Sequence, residues 1–160
     1  MRRYDPRWLI VTLANLVLWW LIGLANNYLA VVHLPFIGAS SFYLYLGGLL
    51  VAYPARRLDP AHGLTATILT ALMVDAVEPV PFGTSLFLFT LIHVTVLYGR
   101  HRFPREGAIF ATVVALLANL FLVIALSFLL VGANPRPASA WLRVFMDLFC
   151  SQVVIALVTP

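Results

Sequence analysis

Short links cut the chain into six apolar runs, and the links hold most of its charge. The runs lie near Trp8–Asn26, Ile37–Tyr53, His62–Glu78, Gly83–Tyr98, Gly107–Val131 and Ser139–Thr159. A bilayer core about 30 Å thick is crossed by roughly 20 apolar residues in a helix. Within it, a helix is the form that satisfies the backbone of a single segment. The expectation is therefore an all-α, polytopic membrane protein, one domain over residues 1–160 with six transmembrane helices. Six spans of roughly 20 residues leave too little chain for a soluble catalytic domain. Composition agrees: 62% of residues are hydrophobic and 10% charged, where a soluble domain carries about 25% charged residues. All ten prolines fall outside the runs, as uninterrupted helices require.

All ten basic residues are arginines. Arg2, Arg3 and Arg7 precede the first run, Arg56 and Arg57 lie between the second and third, and Arg100, Arg102 and Arg105 lie between the fourth and fifth. With six spans these eight share one side, against Arg136 and Arg143 on the other. The positive-inside bias then makes both termini cytoplasmic and reads the basic balance as topology, with no nucleic-acid partner. The link GRHRFPREG is expected to anchor to anionic lipid headgroups. The first run is longer than the 7–15 residues of a signal-peptide core and contains Trp19 and Trp20, so it reads as the first span. The uncharged stretch Asn27–Phe36 reads as an interfacial connector on the outer side.

The most informative stretch runs from His62 to Gly83, HGLTATILTALMVDAVEPVPFG. Residues three or four apart share a helix face, so Gly63, Thr67, Ala71 and Asp75 form a stripe of small or polar side chains that Glu78 continues. Acids in a membrane helix are costly and face protein or water. They also sit at a helix C-terminus, where the dipole disfavours them, so a compensating partner is expected. Arg143 lies at similar depth in the last run and is the candidate, bridging Asp75 or Glu78; its i, i+4 neighbour Asp147 is the local alternative. A partner-facing polar patch and a proton or ion site are the other readings of these acids.

Asn15 and Asn119 lie mid-membrane, where amide side chains join helices. His93 is expected to hydrogen-bond a neighbour, since His33, His62 and His101 are not spaced to form a metal site with it. Cys150, the single cysteine, reads as a packing residue. The threonines and serines of the runs can bond their own helix backbone. There is no phosphate loop, nucleophile elbow, HExxH or CxxC. No cofactor is expected.

A chain of this length, with six spans, the N-terminus inside and a third helix ending in an aspartate followed eight residues later by glycine, resembles the rod shape-determining protein MreD family. Gly63, Ala71, Asp75 and Gly83 carry the motif. Where family members often place Pro then Asp or Asn at the start of the second helix, this chain has Ala39 and Ser40. The resemblance implies a non-enzymatic subunit of the cell-elongation (rod) complex in the bacterial inner membrane. Its partners would be MreC and, through it, MreB, RodA and a class B penicillin-binding protein. The family is also similar in fold to the substrate-binding S components of energy-coupling-factor vitamin transporters. The alternative is therefore a small-molecule-binding subunit with an outward pocket lined by Trp19, Trp20, Asn26, Asn27 and Asp75. A proton-coupled carrier using Asp75, Glu78 and Arg143 is the third reading.

Overall fold

A computed structural model describes residues 6–31, 43–100, 108–132 and 138–159, and all regular structure among them is helical. The elements are α1 (Arg7–Val31), α2 (Gly47–Arg57), α3 (Pro60–Val77), α4 (Thr84–Gly99), α5 (Ala108–Gly132) and α6 (Ala138–Val158). The chain is an all-helical membrane protein. Four helices, α1, α3, α5 and α6, are long and apolar enough to cross a bilayer. The helix α4 has 16 residues and α2 only 11. At 1.5 Å per residue α2 rises about 16 Å, roughly half a bilayer core.

The bundle has an arginine-rich end. Arg7 and Arg57 line one cavity there, Arg100 bonds the chain that leaves α2, and the Arg56 guanidinium lies 5.3 Å from the centre of the Phe110 ring. Thr112 near the start of α5 donates to the Thr159 carbonyl just past α6. Helix direction therefore alternates along the chain.

Five of the six expected helices fall within a few residues of their expected bounds, and the second does not. Tyr43–Leu46 is non-helical, α2 begins at Gly47, and it runs on through Pro54 to Arg57. The rest of the expected span, residues 37–42, lies outside the described residues. The placing of every proline outside a helix is also corrected: Pro54 is buried inside α2, and Pro60 opens α3. The expected connector Asn27–Phe36 is helical as far as Val31, and its remainder lies outside the described residues.

Despite its length, α2 is the packing centre. Gly47, Gly48, Leu50, Val51, Ala52, Pro54 and Ala55 are all buried, with α1, α3, α4 and α5 around them. The face that α3 buries is mostly small or polar, while α4 and α5 bring Leu88, Phe89, Ile92 and Leu122 to the same core as Leu50 and Val51. In α3 the buried residues are Gly63, Ala66, Thr67, Thr70, Ala71, Val74 and Asp75, a helical i, i+3, i+4 stripe. Two glycines let the backbones of neighbouring helices approach closely. A Cβ on Gly48 would lie 2.3 Å from the Asn119 backbone nitrogen, and one on Gly63 would lie 2.8 Å from the Pro54 carbonyl. Long apolar side chains such as Ile10, Leu13, Ile109, Phe128, Phe149 and Leu157 are exposed on the outside, as lipid contact allows.

Candidate functional site: the polar framework around α2

A helix leaves its first N–H and last C=O groups without intrahelical partners. In α2 and α4 neither N-cap residue, Leu46 or Gly83, makes a side-chain cap bond. The caps come from other helices. Asp75, near the end of α3, accepts from Gly83 N (3.0 Å), Ser85 N (2.7 Å) and Leu86 N (3.0 Å) at the start of α4. The dipole of α4 favours a negative charge at that position. The compensation that Asp75 demands is thus a neighbouring helix N-terminus, and among the described residues the ion pair seen for Arg143 is with Asp147 instead of Asp75. Gly83 adopts φ +96°, a left-handed conformation that glycine takes without penalty, and so turns its N–H toward the carboxylate.

At the start of α2, Asn119 of α5 accepts from Gly48 N through Oδ1 at 3.2 Å. Further along, Pro54 has no N–H to give to the Leu50 carbonyl four residues back. Asn15 of α1 donates to that carbonyl at 3.1 Å and also lies 3.3 Å from the Thr70 hydroxyl of α3. At the other terminus of α2, the Arg100 guanidinium donates to the carbonyls of Ala55 (3.3 Å) and Leu58 (3.0 Å). Arg100 therefore does more than mark the basic side of the chain.

The non-helical Tyr43–Leu46 is held from two sides. Asn26 of α1 brackets Leu44, donating to its carbonyl at 2.9 Å and accepting from its N–H at 2.7 Å. Asp147 and Ser151 of α6 accept from Tyr43 N and Tyr45 N, each at 3.0 Å. Irregular backbone survives at membrane depth where protein satisfies it, and these three side chains do so. The Tyr43 hydroxyl donates to Glu78, which is half-buried. Arg143 lies 3.9 Å from Asp147, the local i, i+4 alternative. Glu78, Tyr43, Asp147 and Arg143 thus form one chain of contacts, and Asp75 belongs to a different one.

His93 is fully buried in α4, with Nδ1 2.8 Å from the Thr67 hydroxyl, which also reaches the Gly63 carbonyl at 2.9 Å. Among the described residues no group of three or more His, Cys, Asp or Glu is placed to hold a metal ion. Cys150 is partly exposed.

The sequence pointed to Asp75, Asn15 and Asn119 but missed what they bind; it offered Asn26 only as a lining residue of a pocket, and it missed Ser151 altogether. For Asp75 a signal was present: an acid one turn before a Pro-x-Pro-x-Gly break sits where it can cap the helix that follows. Comparison with protein-family models, with curated proteins and with solved structures finds no match for this chain.

Proposed function

We propose that the protein is a non-enzymatic scaffold subunit of a bacterial cell-elongation complex, similar to MreD. It crosses the inner membrane six times with both termini in the cytoplasm, and it associates with MreC and through it with MreB, RodA and a class B penicillin-binding protein. The observation that supports this reading is the use made of the intramembrane polar groups. Asp75, Asn15, Asn26 and Asn119 are each committed to backbone groups of a neighbouring element, which is architecture, while the outward faces of α1 and α6 are apolar. The positions of the motif residues also favour it: Gly63 and Ala71 lie in the buried stripe of α3, and Asp75 and Gly83 form the α3–α4 corner.

The vitamin-binding alternative needs Trp19, Trp20, Asn26, Asn27 and Asp75 to converge. Trp20 is 64% exposed, Trp19 stacks edge-on against Tyr45, and Asn26 and Asp75 hold backbone. The carrier reading needs Asp75 to exchange partners, whereas three N–H groups fix it.

The test is purification of the tagged full chain from its native membrane in mild detergent, with co-purifying proteins identified by mass spectrometry. Recovery of MreC, RodA or a penicillin-binding protein is expected. Recovery of an energy-coupling membrane subunit with ATPases, or of a bound small molecule, would overturn the reading.

A further inference from the structure

At the arginine-rich end a cavity of about 60 Å³ opens between three elements: Arg7 and Trp8 from the first turn of α1, Arg57 and Leu58 from the end of α2, and Asp59 and His62 at the start of α3. A water needs roughly 10–15 Å³ by this measure, so the space takes about four waters, or one tetrahedral oxyanion. We infer that this cavity binds the headgroup phosphate of an anionic phospholipid.

Two guanidiniums from different helices line it, and guanidinium is the side-chain group best matched to phosphate oxygens. The one acid among the described lining residues, Asp59, lies 3.8 Å from His62. Among the described lining residues, Arg7 and Arg57 against Asp59 leave a net charge of +1. The N-terminus of α3 borders the cavity, and its dipole adds to the same field. The lipid source is chosen by what lies next to the cavity. From Trp8, the α1 surface continues through exposed Leu9, Ile10 and Leu13, a track for acyl chains that a free anion would not use. The site does not depend on the function proposed above.

The experiment measures lipid retention by native mass spectrometry, and the thermal midpoint, for the purified full chain. It is run in neutral detergent doped with phosphatidylglycerol, with phosphatidylcholine, or with inorganic phosphate alone. Phosphatidylglycerol is expected to be retained and to raise the midpoint, with phosphatidylcholine far weaker. Arg7 and Arg57 are exposed, so R7Q/R57Q should fold and retain phosphatidylglycerol about 30-fold more weakly. R2Q/R3Q, with the same change in net charge, should retain it as the natural chain does. If R7Q/R57Q does not fold, R7K/R57K carries the test, with retention about threefold lower at unchanged charge. Equal retention of the two lipids, an equal loss in R2Q/R3Q, or a full shift with inorganic phosphate alone would each overturn the inference.

Discussion

Asn15 supplies the Leu50 carbonyl with the donor that Pro54 cannot. One side chain on α1 thereby compensates a helix defect in α2. Asn15→Ala should leave that carbonyl unsatisfied and destabilise the protein by about 1 kcal/mol, between the ~0.6 typical of membrane hydrogen bonds and the 1–3 of a buried orphan. In a Pro54→Ala background the helix can bond its own carbonyl, and the cost of Asn15→Ala should fall. A double-mutant cycle in SDS-titration unfolding measures this coupling; strict additivity would refute it.

Asp75→Ala removes the acceptor of three N–H groups at the start of α4. The expected loss is about 2–3 kcal/mol, above a typical N-cap deletion because the carboxylate is buried. Asp75→Asn keeps one acceptor oxygen and should fall between. Because Asp75 and Arg143 belong to separate contact chains, Asp75→Asn and Arg143→Gln should be additive to about 0.5 kcal/mol in the same assay. A compensating double variant would restore the direct bridge.

Three glycines should respond differently to alanine, read as detergent-unfolding midpoints. Gly48→Ala drives a methyl into the α5 backbone and should cost about 3 kcal/mol or more. Gly83→Ala has open space around it and should cost only its left-handed backbone, about 1–2 kcal/mol. Gly23 lies within α1 with nothing near its added methyl, so Gly23→Ala should be neutral or stabilising by up to about 1 kcal/mol. Any other order would contradict the packing described.

Arg100→Gln removes the donor to the Ala55 and Leu58 carbonyls and should cost about 1 kcal/mol, whereas a mere topology marker would leave stability unchanged. Cysteine labelling in a Cys150→Ser background checks the proposed orientation. Arg57→Cys should react only from the cytoplasmic side and Glu78→Cys only from the opposite side; the reverse pattern would invert the topology.

Helices α1 and α3–α6 are legible in the sequence because each is a long apolar run with its own stop signals. The shortness of α2 is not. Residues Tyr43–Leu46 carry no charge, proline or glycine to break a helix, and what holds them out of one lies 18 residues away in Asn26 or more than 100 away in Asp147 and Ser151. Local pattern carries no trace of such partners, and tertiary contact overrides it. Pro54 is tolerated for the same reason, through Asn15. The acid stripe of α3 is legible as a stripe, but an acid that accepts from backbone N–H groups needs no charged partner, so no side chain in the sequence marks that role.

The dependence of α2 on distant side chains sets an order of assembly. When Gly47 and Pro54 leave the ribosome, Asn15 and Asn26 already exist, but Asn119, Asp147 and Ser151 do not. At about 5–20 residues per second the last of them follows only after roughly 5–20 s. The element at the centre of the finished protein is therefore among the last to settle, and until α6 arrives the nascent chain has a half-length segment that the membrane alone cannot hold.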